Sequence, residues 1–248
     1  MFFHLIQYPE RSALKQNKTE RNRSVMKITH IYHSGFCIEL EQTVLIFDWY
    51  TGTLPELPEE KQAVVFVSHG HGDHFGDCIW SLRKRFRKLT YVIDSTAAVP
   101  PGSRDVKTVE PGGTYNIADL TVQTLRSTDQ GSAFLVEAEG HKIFHAGDLN
   151  VWYWYDEPEE ENLASEADCR REYEKLAGQP VDVAFLPLDP RLREHAPRGI
   201  AMFMECAGAR EIFPMHYWDR KAEAEAYLED PRLAPFAERI HFEDSFVI

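Results

Sequence analysis

Apolar residues in the first third of the chain recur in short blocks that predict β-strands. Residues 28–32 form one such block. Residues 36–40 and 44–47 flank a three-residue turn, a spacing that predicts a β-hairpin. Residues 63–67 are apolar at every position, which is typical of a strand covered on both faces. The chain therefore begins with a run of strands.

The next segment carries a helical pattern. Four apolar residues, spaced four, three and four positions apart, form one stripe of a predicted helix: Phe75, Ile79, Leu82 and Phe86. A basic run over residues 83–88 falls at the end of this helix, where cations interact favourably with the helix dipole. We interpret the run as a solvated helix end rather than a nucleic-acid-binding patch.

The rest of the chain predicts further strands and then helices. Residues 132–138 and 142–146 flank residues 139–141, which predicts a second hairpin. Further predicted strands cover residues 91–93, short segments of 106–125 around the turn 111–113, 181–186, 212–213 and 246–248. Predicted helices cover residues 169–177, a segment that begins at Pro197, and residues 221–228. Because strands come first and helices later in each half, we predict two packed sheets with helices outside.

Composition and charge narrow the classes of function. Of 248 residues, 43% are hydrophobic and 27% are charged, which is typical of a globular protein and excludes a collagen-like or disordered chain. The apolar runs are far shorter than the about 20 residues of a membrane-spanning helix. The formal net charge of −13 disfavours nucleic-acid binding, because an acidic chain repels phosphates. Four scattered cysteines predict reduced thiols and a cytoplasmic protein.

Regular patterning begins only at Met26. The apolar run at the N-terminus ends at Pro9, before the apolar core of a secretion signal could form. We therefore predict that residues 1–25 are a disordered extension, or that they precede a true start at Met26. Residues 26–248 are predicted to form a single domain.

Residues 68–74 concentrate side chains that bind metal ions. Three histidines and one aspartate lie within six residues: His69, His71, Asp73 and His74. Glycines between them let the backbone bend sharply, and the stretch lies between a predicted strand and a predicted helix, where active-site loops are common. Imidazole and carboxylate ligands together suit zinc, iron or manganese rather than calcium. The stretch therefore predicts a metal site, and one such loop could serve two neighbouring metals.

Two later segments place a ligand-type residue just past an apolar strand. Residues 143–146 lead into Gly147-Asp148, and residues 212–215 lead into His216. The two oxygens of Asp148 could bridge two cations, and His216 could complete the second site.

The combined pattern of these segments resembles the metallo-β-lactamase superfamily. Residues 32–36 and 45–48 are in addition similar to its ascorbate-6-phosphate-lactonase-like branch. The resemblance spans residues 27–248. It implies an α/β fold (α+β in some classifications), a four-layer αββα sandwich of two mixed β-sheets flanked by helices, with metals at one sheet edge.

The resemblance also implies two divalent cations, with zinc as the first expectation and manganese or iron as alternatives. The implied ligands are His69 and His71 for the first metal, Asp73, His74 and His216 for the second, and Asp148 as the bridge.

The resemblance also implies that two further residues lie close to these ligands. Asp48 matches a buried aspartate that orients the histidine loop, and so fixes the ligand geometry. His33 lies near the site in the related branch, with simple packing at a strand end as an equal alternative.

One histidine of the family pattern is missing, the one that usually binds the first metal between the main motif and Gly-Asp. His141 falls in the predicted hairpin turn, roughly 20 Å from Asp148 at about 3.3 Å per strand residue, and cannot serve. A hairpin centred near residue 140 returns residues 127–131 to the metal edge, which makes Asp129 the predicted substitute. An oxygen ligand there would shift the metal preference toward manganese or iron. The alternatives are that a water occupies the missing ligand position or that the first metal binds weakly.

Together these residues predict a metal-dependent hydrolase. Two cations about 3.5–4 Å apart would lower the pKa of a shared water toward 7, and the hydroxide would attack a carbonyl or phosphoryl centre. Asp73 is the predicted catalytic residue, because it could orient the nucleophile and move its proton. The expected substrate is a small phosphodiester, lactone or other ester.

Substrate contacts are less well determined by the sequence. Trp152 and Trp154 follow Asp148 closely and could form a pocket wall, and Arg191 could receive a phosphate or carboxylate. Packing of the tryptophans and surface charge for the arginine are the alternatives.

Other functions and partners stay open on the sequence. One alternative is a non-catalytic metal- or ligand-binding sensor module on a degraded site. A second is a nuclease of the same fold, which the net charge weakens. The expected partner is a small molecule and neither a nucleic acid nor a membrane. The oligomeric state stays open, a homo-oligomer being one alternative.

Overall fold

Two mixed β-sheets pack face to face in the computed structural model, which describes residues 25–248. The extension predicted for residues 1–25 therefore lies outside the described residues, apart from Val25. The first sheet contains β1 (Lys27–Tyr32), β2 (Gly35–Glu39), β3 (Thr43–Phe47), β4 (Gln62–Val67), β5 (Lys88–Asp94), β6 (Val106–Val109) and β13 (Ser245–Val247). Their order is β13-β1-β2-β3-β4-β5-β6. Strands β13 to β3 pair antiparallel, and strands β3 to β6 pair parallel.

The second sheet contains β7 (Thr114–Ile117), β8 (Leu120–Arg126), β9 (Ser132–Ala138), β10 (His141–His145), β11 (Val181–Pro187) and β12 (Ala209–Met215). Their order is β12-β11-β10-β9-β8-β7, antiparallel from β7 to β10 and parallel from β10 to β12. Both predicted hairpins are present. The prediction that His141 lies in the turn was wrong, because this residue pairs with Ala138 as the first residue of β10.

The predicted short strands around residues 111–113 belong to different sheets. β6 is an edge strand of the first sheet, whereas β7 is an edge strand of the second. The segment between them therefore crosses from one sheet to the other, and β7 forms its hairpin with β8 instead.

Residues 63–67 of β4 are all apolar because both faces of this strand are covered. Val64 and Phe66 face the core between the two sheets, while Val65 and Val67 belong to a second apolar cluster on the outer face. That outer face is covered by a 3₁₀ helix, Asp77–Lys84, whose Ile79 and Leu82 are buried. This segment is shorter and tighter than the helix predicted from the apolar stripe, and Phe75 precedes it.

Helices α1 (Glu159–Glu174) and α2 (Arg198–Cys206) cover the outer face of the second sheet, where Phe144 of β10 stacks on Phe203 with ring centroids 5.1 Å apart. The third helix is α3 (Lys221–Ala226). Helix α1 begins ten residues before the predicted start, because its first half is solvent-exposed and acidic and lacks an apolar stripe. The layers therefore confirm the predicted sandwich of two mixed sheets flanked by helices. Within residues 25–248, no helix is long and apolar enough to cross a membrane.

Candidate metal centre

One edge of the sandwich collects the ends of strands from both sheets. Asp48 follows β3, His69 follows β4, Asp148 follows β10 and His216 follows β12. Because β3 and β4 are parallel, as are β10 to β12, the carboxyl ends of these strands meet at the same edge. This topology brings together residues that lie far apart in the sequence.

Asp148 lies at the centre of this edge, 5% exposed. Its Oδ1 is 3.1 Å from His74 Nε2 and 3.5 Å from His216 Nε2, and its Oδ2 is 3.3 Å from His69 Nε2. The backbone of Asp148 is fixed by the Trp152 indole, which donates a hydrogen bond of 2.8 Å to its carbonyl oxygen. The two carboxylate oxygens thus point to different histidines, as a bridging ligand requires.

Two ligand groups flank Asp148. In the inner group, four residues each offer a ligand atom within 4.8 Å of the others: His33, Asp73, His74 and His216. The outer group consists of His69, His71 and Asp129, in which His69 Nε2 is 3.1 Å from His71 Nδ1, and His71 Nδ1 is 3.8 Å from Asp129 Oδ2. These distances place seven of the sequence-predicted residues, together with Asp148, in one cluster.

Asp48 forms hydrogen bonds with the histidine loop, the segment of residues 68–74. Its carboxylate accepts hydrogen bonds from the Ser68 backbone N–H at 2.8 Å and the Ser68 hydroxyl at 2.6 Å, and lies 2.8 Å from His74 Nδ1. Burial alone would raise the pKa of Asp48, but the hydrogen bond with His74 and the neighbouring imidazoles outweigh it and lower that pKa. The ionised carboxylate therefore orients His74 with Nε2 toward Asp148.

The electrostatics of the cluster favour a positive charge between the carboxylates. Burial would lower the pKa of His74, but Asp148 and Asp48 raise it well above its usual range. Burial would likewise raise the pKa of Asp148, yet the surrounding histidines hold it well below its usual range. A cation among these side chains would be stabilised by the same carboxylates.

Asp189 gives His216 the support that Asp48 gives His74, and sequence reasoning missed it. Its Oδ2 lies 3.0 Å from His216 Nδ1, and the same carboxylate accepts hydrogen bonds from the Arg191 backbone N–H and guanidinium. These partners outweigh burial and lower the pKa of Asp189 to about 2. Its position just past the buried strand β11, at the same edge as Asp148, is the signal that could have identified it.

The backbone is strained where the ligands converge. His33, Asp48 and His216 have φ values of 55°, 43° and 66°, in the left-handed region that most side chains avoid. Such strain clusters at functional sites, because the surrounding structure holds it there. The neighbouring loop is equally constrained: a Cβ on Gly131 would lie 2.2 Å from the Ser68 carbonyl oxygen, so only glycine fits there. This contact brings the Asp129 loop against the histidine loop.

Several buried polar atoms of the cluster have no hydrogen-bond partner within residues 25–248. They are His74 Nε2, Asp148 Oδ1 and both ring nitrogens of His33. Leaving such atoms unsatisfied costs free energy, and each of these four atoms belongs to a residue of the candidate ligand set. The donor chemistry and the unsatisfied atoms therefore both fit divalent cations of the zinc, manganese or iron type.

A cavity of about 460 Å³ opens directly onto the cluster. Trp152, Trp154 and Arg191 all line it, as do His71 and Asp129. The two indoles are parallel, with ring centroids 5.8 Å apart, and Arg191 lies over the Trp154 ring at 5.3 Å. The three residues predicted to contact substrate therefore surround one cavity beside the candidate ligands. Glu157 and Glu161 also line this cavity.

Comparison with known proteins agrees with this architecture. Residues 27–216 match the family model described as the beta-lactamase superfamily domain. A UPF0173 metal-dependent hydrolase of Thermococcus kodakarensis is 28% identical over 207 residues, which covers 78% of this chain and 85% of that protein.

Solved structures share the fold at lower identity. Igni18, a metallo hydrolase from Ignicoccus hospitalis, aligns with a TM-score of 0.62 at 15% identity over 91% of this chain and 99% of its own. The metallo-beta-lactamase fold protein YhfI from Bacillus subtilis aligns with a TM-score of 0.57 at 14% identity over the same shares of the two chains.

Proposed function

The chain belongs to the beta-lactamase superfamily domain family, and from that premise we propose that it hydrolyses a small ester-type substrate at a two-cation centre. The substrate class is a phosphodiester, a lactone, such as the sugar-phosphate lactones of the branch that its sequence resembles, or another ester. The relative in Thermococcus kodakarensis is named a metal-dependent hydrolase, which supports the reaction class.

The proposed ligands divide between the two cations. His69, His71 and Asp129 hold the first cation, Asp73, His74 and His216 hold the second, and Asp148 bridges them through its two oxygens. When bound, these cations supply an activated water and polarise the substrate. The observation that carries the proposal is the position of Asp148, whose two oxygens lie within 3.5 Å of three imidazoles from two sheets.

Asp73 is the proposed catalytic residue. It lines the cavity and is partly exposed, with its Oδ2 3.7 Å from His33 Nε2. Unlike Asp148, it is reached by solvent, so its carboxylate can orient an attacking water and accept a proton from it.

Asp129 makes the first cation's ligand set richer in oxygen than the family pattern. Two nitrogens and two carboxylates, His69, His71, Asp129 and Asp148, surround that position. Because harder ligands suit harder cations, we propose that the first position accepts manganese or iron as well as zinc.

The composition of the cavity wall supports the proposal of a small substrate. Trp152 and Trp154 offer flat apolar faces for a ring or an acyl group. The charge of Arg191 is largely compensated by Asp189, so it orients a polar group of the substrate rather than capturing a highly charged one.

Metal analysis paired with a substrate panel tests this function. Protein purified without chelator is expected to contain close to two cations per chain and to hydrolyse at least one of a phosphodiester, a sugar-phosphate lactone and an acyl thioester. The variants His71→Ala and Asp148→Ala are expected to lose that hydrolysis. Full activity in both variants would contradict the proposal, and a metal content of zero would favour a binding module instead.

A further inference from the structure

His33 occupies an unusual position beside the proposed second cation. It lies in the turn between β1 and β2 with φ 55°, and its side chain is fully buried. Its backbone carbonyl accepts a hydrogen bond from the His216 backbone N–H at 3.4 Å, which fastens this turn to the turn that carries His216. The two imidazole rings consequently lie 4.2 Å apart, centroid to centroid. The hydrogen bond to the His216 turn therefore stabilises the strained turn in a position that places the His33 ring beside the ligand cluster.

The ring nitrogens of His33 have no hydrogen-bond partner among residues 25–248. One face of the ring is covered by Trp218, with centroids 4.2 Å apart. A buried imidazole whose ring nitrogens have no partner among the described residues has a nitrogen electron pair free to bind a metal ion.

The distances around His33 fit a coordination sphere. Its Nε2 is 3.7 Å from Asp73 Oδ2, and the ligand atoms of the whole inner group lie within 4.8 Å of one another. Ligand atoms at about 2.0 Å from a zinc ion lie roughly 3–4 Å apart, whether four or five of them surround it. Three imidazoles with the carboxylates of Asp73 and Asp148 are donors that zinc binds.

The side chains of the inner group are more buried than those of the outer group. His33, His74 and His216 are buried, and the latter two are oriented by Asp48 and Asp189. In the outer group the side chains of His71 and Asp129 are 48% and 52% exposed.

We propose that His33 is a ligand of the inner cation, so that His33, Asp73, His74 and His216, with the bridging Asp148, fill that cation's coordination sphere with protein atoms. The inference rests on the proposed function. It makes the inner cation the tightly bound one. The outer cation, held by fewer and more exposed ligands, keeps positions open to water and substrate, and it exchanges with solution.

Zinc titration of the metal-free full-length chain tests this assignment without an activity assay. The wild-type protein is expected to show a tight class and a weaker class of site against a competing chromogenic chelator. His33→Asn suits the left-handed turn and removes the imidazole. We expect it to weaken the tight class about 100-fold or more, since loss of a residue that merely supports a ligand already costs about 10–100-fold. Asp129→Asn is the matched variant and is expected to weaken only the other class.

X-ray absorption at one equivalent of zinc gives a second, independent readout. Three imidazoles are expected around the metal in the wild type and two in His33→Asn. His33→Phe keeps a ring against Trp218 and His216, and it is expected to behave like His33→Asn if the nitrogen is what matters. Unchanged tight binding in both variants, or two imidazoles in the wild type, would overturn the role of His33 while leaving the hydrolase intact. A wild-type chain that binds no zinc would instead overturn the proposed function itself.

Discussion

The ligand cluster and the cavity wall beside it differ in how firmly their side chains are held. In the cluster, His74 and His216 are buried and each is fixed by a carboxylate, Asp48 or Asp189. In the cavity wall, Trp154 is partly buried on a loop, and Arg191 is exposed in a short 3₁₀ helix, Pro190–His195. Under the proposed function, the strand ends would fix the metal ligands, whereas side chains beyond the strands would select the substrate.

The largest expected effect follows from removing the bridge between the two ligand groups. Asp148→Ala is expected to release both cations and to lower kcat/KM by about 10³-fold or more, because bound cations contribute several kcal/mol of transition-state stabilisation. Metal content and hydrolysis measured on the same preparation check this. Asp168→Ala, at an exposed aspartate of α1, is the control and is expected to change neither. Retention of both cations by Asp148→Ala would contradict the bridge.

A smaller loss of metal affinity is expected when the inner group keeps all its ligands but loses a carboxylate that orients one of them. Asp189→Asn retains an acceptor for the Arg191 backbone N–H while removing the charge that orients His216. We expect metal affinity to fall about 10–100-fold, the usual cost of such a change. Chelator competition measures it. An unchanged affinity would show that His216 does not depend on Asp189 for its orientation.

A change of metal preference is expected at the outer group. Asp129→His replaces a carboxylate with the imidazole of the family pattern, so zinc affinity relative to manganese is expected to rise roughly tenfold there. Competition between the two metals, followed by elemental analysis, gives this ratio. Equal ratios in the variant and the wild type would mean that Asp129 is not a ligand.

The smallest effect is expected from a substitution in the cavity wall, away from the ligands. Trp154→Ala removes a flat face but no ligand, so we expect KM to rise about tenfold with kcat nearly unchanged, as happens when binding is lost equally in ground and transition states. Steady-state kinetics on the substrate identified by the panel separate the two constants. A large drop in kcat with unchanged KM would place Trp154 at the reacting atoms instead.

The sequence allowed the ligand set to be predicted where the signal is local or marked by a strand. His69, His71, Asp73 and His74 lie together in the sequence, and Asp148 and His216 each follow a run of apolar residues. The family resemblance added Asp48 and the division of the candidate ligands between two metals. Asp129 became a candidate because a histidine of the family pattern is missing and hairpin arithmetic brings residues 127–131 to the metal edge. The structure places its carboxylate 3.8 Å from His71.

The features that were missed depend on long-range packing. Asp189 acts through His216, 27 positions further along the chain, and no spacing rule links the two. The unsatisfied nitrogens of His33 become evident only once Trp218 and His216 close around the ring. The first half of α1 escaped prediction because it faces solvent, so its sequence carries acidic residues instead of an apolar stripe.

Anomalous diffraction from a crystal of the metal-loaded protein tests the central claim most directly. The account predicts two cations about 3.5–4 Å apart at the edge where β4, β10 and β12 end, one among His33, Asp73, His74 and His216 and the other beside His69 and His71, with Asp148 touching both. Anomalous peaks elsewhere, or no cation within bonding distance of Asp148, would contradict it.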